Sequence, residues 1–436
     1  MSNDVTAVVM AAGLGTRMKS ATPKHLHPLL GRRLVDWVVT AARDAGVARV
    51  VVVTSPDAAD EFPDAEVAIQ EQPLGTGDAV RAARDALRDA GGDVLVLNGD
   101  VPGLSPQTLG ALLATHRSAR AAGTVLSFEP EDVREYGRIV RDGDGGLARI
   151  VEAKDCSPQE LELGEVNSGI YVFRGELLWP LLDRLEPQNA QGELYVTDTL
   201  GLLVQDGEPV AVHVAPVAWE VEGINTRVEL AFVAGKLRDR INEAHMLAGV
   251  TIVDPASTWI EPTVSLAADA TIEPFTVLRG ATRVGAGATV GPHAVVIDAT
   301  IGPGASVGPF CYLRPGAELA HDAKAGTFVE IKNSQLAAGV KVPHLSYIGD
   351  ASIGEGTNIG AGGITANYDG RVKQRTTIGK DVHTSCDNVF VAPVTIGDGA
   401  WTAAGSVITE DVPPDALAVA RAHQKNIEGY GRRKRG

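Results

Sequence analysis

Cysteine is scarce in this 436-residue chain, which carries only Cys156, Cys311 and Cys386. No Cys-x-x-Cys pair and no metal-ligand spacing joins them. That excludes a disulfide scaffold and a zinc module, and it suits a reducing compartment. Long apolar runs are missing too, and none reaches the length of a membrane span. No charged stretch followed by a long apolar one opens the chain, so no secretory leader is expected. Positive charge is in deficit: 39 Lys and Arg stand against 55 Asp and Glu, a formal net charge of −16. Such a balance opposes non-specific binding to nucleic acid or anionic membrane. Only the tail GYGRRKRG runs the other way, and it reads as a solvated terminus. The expectation is a soluble cytoplasmic protein with neither nucleic acid nor membrane as partner.

Hydrophobic residues make up 44% of the chain, enough for large cores, and the length allows about three domains. Up to Thr226, short apolar runs alternate with Ala/Arg-rich amphipathic stretches. AVVMAA, RVVVVTS, EVAIQ, DVLVLNGD and GTVLSF read as buried strands. LVDWVVTAARDAG and GTGDAVRAARDALRDAG read as helices closed by glycine. This alternation predicts an α/β layer on a mostly parallel sheet. Residues 228–248 have helical periodicity without proline and read as a connecting helix.

From Gly249 the texture changes. Small aliphatic residues recur every six positions at Ile260, Leu266, Ile272, Leu278, Val284 and Val290. The period resumes at Ile301, Val307, Leu313, Leu319, Ala325 and Ile331. It returns at Ile378, Phe390, Ile396 and Ile408, with Thr384 and Thr402 at intervening steps. A hexapeptide repeat is a solenoid signature, one short strand and turn per unit, the aliphatic residue stacking inward. The expectation is a parallel β-helix, left-handed as a class, with flat faces suited to side-by-side association. Two stretches interrupt the repeat: NSQLAAGVKVPHLSYIGD and GAGGITANYDGRVKQRTTIG. Loops projecting there are the places to look for chemistry.

Gly13-Leu14-Gly15 begins like G-x-G-x-x-G, the dinucleotide fingerprint. The fingerprint then needs a third small residue, and here it is Met18. The acidic residue at a second strand end is also missing, since Asp36 lies within a helical pattern. The turn carries Thr16-Arg17 instead, and then Pro23-Lys24. Backbone amides in such a turn can cradle phosphate, and two cations would offset charge at an attacked phosphorus.

G-x-G-T-R-M with P-K after it resembles the signature of sugar-nucleotide pyrophosphorylases. IQEQPLGTGDA, LNGDVP, EYGRIVR, IVEAKD, VNSGIYVF and VEGINTR extend the likeness in order. With the hexapeptide region, residues 5 to 430 resemble the bacterial bifunctional N-acetylglucosamine-1-phosphate uridylyltransferases/glucosamine-1-phosphate acetyltransferases. The resemblance implies a uridylyltransferase domain at 1–227, a helical linker at 228–248 and a β-helical acetyltransferase domain at 249–436. It implies homotrimers through the coil. It implies Mg²⁺ held by Asp100 and Asn225, with UTP as substrate and Arg17 and Lys24 at the phosphates. Ala11, Ala12, Gly13, Gln70, Gly75 and Thr76 would face the nucleotide. Gly137, Glu152 and Asn167 would face the sugar, with Lys24 and Asn225 shared. Taken locally, the lesser readings are Asp100 as a cap after a strand and Glu152 as a surface pair with Lys154. Asn98 stands where some relatives have an aromatic residue.

In the second half the resemblance implies His344 as the base for acetyl transfer. An acetyl acceptor amine must be neutral when it attacks, and imidazole is a suitable proton acceptor. By its local sequence alone, His344 reads as well as a structural histidine. Arg314, Lys332, Tyr347 and Asn358 match the residues holding the sugar phosphate, with Glu330 orienting base or amine. Ala361, Asn367, Tyr368, Cys386, Ala404 and Arg421 match the acetyl-coenzyme A contacts. At Cys386 many relatives carry serine, and a thiol is the weaker donor, so an altered contact is expected rather than loss of activity. Two other readings stay open: a single-function pyrophosphorylase with a purely architectural coil, and a scaffold with degenerate sites.

Overall fold

The computed structural model describes residues 5–13, 15–88, 91–133, 135–187, 189 and 191–435. Leu14 of the glycine turn and Gly436 of the basic tail lie outside the described residues. The chain divides into two compact units, Met1–Leu237 and Arg238–Gly436. The helix Arg227–Leu247 carries the division.

In the first unit a twisted sheet runs in the spatial order 210–214, 123–128, 166–174, 93–98, 5–10, 49–54, 66–69. Its neighbours are parallel except for Val166–Arg174, which is antiparallel to both its partners. Successive side chains of a strand face opposite sides, and both sides are covered here. Val5, Ala7 and Val9 enter a core with the helices Leu34–Asp44 and Pro106–Ser118. Val8 enters a second core with Thr76–Ala82, Gly175–Asp183 and Thr197–Gln205. Burial on both faces is why these strands read as unbroken apolar runs. One helix is shorter than the repeat of apolar positions suggested. After Gly75 it closes at Ala82 and continues as hydrogen-bonded turns, with Leu87 N donating to Ala83 O at 3.1 Å.

The second unit is a parallel β-helix of the left-handed class. Three sheets of six, nine and eight strands form its faces, and the first face continues as a three-stranded sheet near the end. Each strand pairs with one a full coil later. Trp259 lies opposite Val277, Val277 opposite Val295, and Val295 opposite Tyr312. All the inward positions expected from the repeat are buried, except Leu266, which packs partly buried against the same core.

The structure corrects the reading of the first interruption. NSQLAAGVKVPHLSYIGD stays within the coil as the strands Ser334–Leu336, Lys341–His344 and Tyr347–Gly349. Its inward residues are Leu336, Val342 and Ile348, all buried, and Val296 belongs to the same series. Leu336, Val342 and Ile348 fall out of phase with Ile331 because the corner between Ile331 and Leu336 is one residue shorter, whereas Val296 follows Val290 by the ordinary six. Gly280 and Gly316 turn the longer corners, while Asp298, Asn333 and Asp350 turn the shorter ones with φ between 44° and 51°. Asp and Asn are among the few residues with side chains that tolerate this left-handed region. The second interruption is a real excursion. Ile364 pairs with Val389 instead of a residue one ordinary coil away, and residues 367–375 loop out between them.

Candidate active sites

Ligand sites in open parallel sheets lie at the carboxyl ends of the strands. There the first unit has a cleft of about 490 Å³. Val5–Met10 leads into Ala11, Ala12 and Gly13, which line it. Gly15 has φ +59°, and a Cβ there would meet Lys24 Cβ at 2.4 Å, so the turn closes against Lys24 only with glycine. Gly75 has φ +115° and passes Leu194 so closely that a Cβ would lie 2.4 Å from its carbonyl oxygen. Gln70 holds this loop by donating from Nε2 to Gly75 O at 3.1 Å and to Asp78 at 3.0 Å. Thr76 Oγ1 accepts from Val196 N at 3.0 Å.

Asp100 comes after the strand Asp93–Asn98, and its carbonyl accepts from Ile224 N at 2.9 Å. That bond brings the 223–225 segment beside it. Asn225 N donates to Glu229 in the first turn of the long helix at 2.6 Å, which fixes the segment from the other side. Lys24 Nζ bonds Asp100 Oδ2 and also donates to Asn225 Oδ1 at 3.0 Å. A carboxylate oxygen and an amide oxygen thus converge on one cation. This hard-oxygen pair fits a divalent metal whose remaining ligands come from substrate phosphate and water. Among the described residues no group of three or more His, Cys, Asp or Glu could hold a metal by itself. Arg17 donates to Asn225 Oδ1 at 3.0 Å and pairs with Glu135 at 3.2 Å, but it lines neither cleft described here.

A second cleft, of about 260 Å³, shares Asp100 with the first and contains Gly137, Glu152, Asn167 and Asn225. The antiparallel strand Val166–Arg174 explains Asn167: its starting end lies where the parallel strands finish. Asn167 N donates to Gly137 O at 2.8 Å, and its amide bonds the Tyr171 hydroxyl at 2.8 Å. Burial pushes the Glu152 carboxyl up, and Asp198 and Asp155 push the same way. Sequence reasoning missed His25, which also lines the first cleft. It is 4% exposed, and burial pushes its imidazole down from 6.5 to about 4. No sequence pattern marks it, because its burial depends on packing beside Phe62.

In the coil, stacking gathers residues far apart in sequence. Along one column, Gly362 N donates to His344 O at 3.4 Å, Asp387 N to Ala361 O at 2.7 Å, and Gly405 N to Cys386 O at 2.9 Å. Arg421 Nη1 donates to Ala404 O at 2.8 Å. His344, Ala361, Cys386, Ala404 and Arg421 therefore succeed one another from coil to coil. Cys386 is exposed. On the adjoining face Tyr312, Glu330, Tyr347 and Ile364 are in register. Arg314 pairs there with Glu330 at 2.8 Å. Asn367 is buried and bonds Asp350, which also accepts from Asn333 at 2.5 Å. Tyr368 is exposed. Asn358 sits on a different face, in register with Lys341 and His383. The looped-out segment also returns Lys373 to Lys332, which sequence reasoning missed. Contact with Lys332, then repulsion from it, pushes the Lys373 ammonium down. The basic stretch GRVKQR was the available signal.

Residues 7–218 match the MobA-like NTP transferase domain family. The bifunctional protein GlmU of Streptomyces coelicolor is 49% identical over 98% of this chain and 94% of its own. GlmU of Mycobacterium tuberculosis H37Ra is 47% identical, covering 99% of this chain and 93% of its own. GlmU of Corynebacterium efficiens is 46% identical over 98% and 94%.

Proposed function

This chain belongs to the family of bifunctional GlmU proteins, and we propose that its two units divide the last steps of UDP-N-acetylglucosamine synthesis between them. The second unit acetylates glucosamine 1-phosphate. The first joins the product to UMP from UTP and releases pyrophosphate. UDP-N-acetylglucosamine feeds peptidoglycan and other cell-envelope precursors. The boundaries we adopt are 1–227 and 249–436 for the catalytic domains, with the helix as linker. We place the working protein in the cytoplasm as a homotrimer joined through the coil.

For uridylyl transfer, a phosphate oxygen of N-acetylglucosamine 1-phosphate attacks the α-phosphorus of UTP, and the bond to pyrophosphate breaks. The attacking oxygen is already ionised, so no general base is required. Asp100 and Asn225 would hold Mg²⁺, which lowers the repulsion between two polyanions and polarises the phosphoryl oxygens. Lys24 holds phosphate, and Arg17 offsets charge at the α-phosphorus. Ala11, Ala12, Gly13, Gln70, Gly75 and Thr76 orient the nucleotide. Gly137, Glu152 and Asn167 orient the sugar.

For acetyl transfer, His344 removes a proton from the amine as the nitrogen attacks the thioester carbonyl. The tetrahedral intermediate collapses, the C–S bond breaks, and the coenzyme A thiolate leaves and is protonated. Arg314, Lys332 and Lys373 hold the sugar phosphate, and charge-assisted bonds to it set the orientation. Tyr347 and Asn358 contact the sugar, and Glu330 orients the base or amine. Ala361, Asn367, Tyr368, Cys386, Ala404 and Arg421 line the path of acetyl-coenzyme A.

The observation that carries the two-activity reading is the His344 column of the second unit, an array that a purely architectural coil would not require. The test is thiol release from acetyl-coenzyme A with glucosamine 1-phosphate as acceptor. His344→Ala is expected to lower it at least about 10²-fold. It should leave pyrophosphate release from UTP and N-acetylglucosamine 1-phosphate intact, and Asp100→Ala should do the reverse. Thiol release no greater than that of His344→Ala would reduce the coil to a scaffold.

A further inference from the structure

We infer that the ridge of half-buried His383 and exposed Trp401 and Leu417 seats the adenine ring of acetyl-coenzyme A. The inference rests on the acetyl-transfer reading of the same unit. These residues occupy consecutive coils, His383 opposite Trp401 and Trp401 opposite Leu417. The His383 and Trp401 rings lie 4.3 Å apart between centroids, tilted by 31°. Trp401 is 52% exposed and Leu417 64%. A single exposed apolar residue is ordinary on a protein surface. An indole stacked on one ring and continued by a leucine forms an apolar ridge, with exposed Val419 two residues on from Leu417.

The position of the ridge selects its occupant. Along the strand direction, Cys386 lies three residues beyond His383, and Ala404 three residues beyond Trp401. Three extended residues span about 10 Å. Arg421, whose guanidinium donates to Ala404 O, stands at the far end of the His344 column from the acetyl-transfer base. A donor with its thioester at His344 and its diphosphate at Arg421 has only its adenosine left to place. Adenine is planar and offers a π face to any aromatic surface, and indole is the largest such surface a protein has. The column supplies charge for the diphosphate, and the ridge beside it supplies stacking for the base. A second copy of the chain is the competing occupant, and the test separates the two.

The test compares kcat/KM for acetyl-coenzyme A with that for S-acetyl-4′-phosphopantetheine, which lacks the 3′-phospho-AMP moiety, in the full-length protein. The wild-type chain is expected to favour acetyl-coenzyme A by more than ten-fold, about ten-fold of it through base stacking and the rest through the missing phosphates. Trp401→Ala should lower that ratio about ten-fold, leaving the phosphate part, and Trp401→Phe should keep most of it. An unchanged ratio in Trp401→Ala overturns the inference. So does an equal loss with both donors, which would mark Trp401 as a support of the coil or of subunit contact, as a changed elution volume would show. Wild-type protein that releases thiol from neither donor would instead remove the acetyl-transfer reading, and the inference with it.

Discussion

Lys24 bonds both Asp100 and Asn225 in the cleft we propose for the two polyanionic substrates, and the residue beside it is a buried histidine. Among the described residues the His25 Nε2 has no hydrogen-bond partner. Lys24 and Arg33 add to the effect of burial by disfavouring a proton on the ring, while Asp100 favours one. The folded value, about 4, lies below the ordinary 6.5, so the unfolded chain binds the proton more readily between them. Stability is therefore fully present above pH 6.5 and declines as the pH falls towards 4. Between pH 7 and pH 5 the loss from His25 is on the order of 2 kcal/mol. His25→Leu is expected to remove that part of the slope in urea unfolding. Parallel pH curves for the two chains would contradict it. Glu152 titrates in the opposite sense, since burial raises its carboxyl, so only the difference between the chains isolates His25.

Among elements, the coil and its single long excursion do different work. The coil is a ladder of inward aliphatic side chains, each worth about 1.5–3 kcal/mol in burial. Its rigidity lets residues from separate coils hold a fixed spacing. The excursion at 367–375 breaks the ladder and returns a cation to Lys332. Two ammonium groups held together repel each other, Asp350 offsets part of that, and a bound anion would offset the rest. Lys373→Ala is therefore expected to raise KM for glucosamine 1-phosphate about ten-fold, with kcat little changed at saturation, while Lys373→Arg retains most of the affinity. Equal KM values for wild type and Lys373→Ala would remove Lys373 from the phosphate site.

Across the whole molecule, the two chemistries ask different things of a cation. Uridylyl transfer brings two polyanions together, in our proposal beside a cation at Asp100 and Asn225, whereas the acetyl transfer we propose uses side chains alone. EDTA is expected to abolish pyrophosphate release while leaving thiol release at full rate, with Mg²⁺ restoring the former. Equal inhibition of both would show that the metal also supports the coil. In the complete reaction from glucosamine 1-phosphate, EDTA should leave N-acetylglucosamine 1-phosphate to accumulate.

The two textures are legible in the bare chain, because strand alternation and the six-residue period are local and repeat. The candidate residues Lys24, Asp100 and His344 are likewise each picked out within a short motif. Leu336 was hidden because the corner after Ile331 is a residue short, turned by Asn333, whereas Val296, six residues after Val290, keeps the period and was passed over. Which side chains meet is settled by folding alone. Asn225 reaches Asp100 through a backbone bond across more than a hundred residues, and Lys373 reaches Lys332 by way of the excursion. Ala361, Cys386, Ala404 and Arg421 fall into one column through coils of unequal length. Periodicity is set by neighbours along the chain, but a site is set by closure of the chain on itself, and unequal corners and insertions leave that closure unreadable until the coils are stacked.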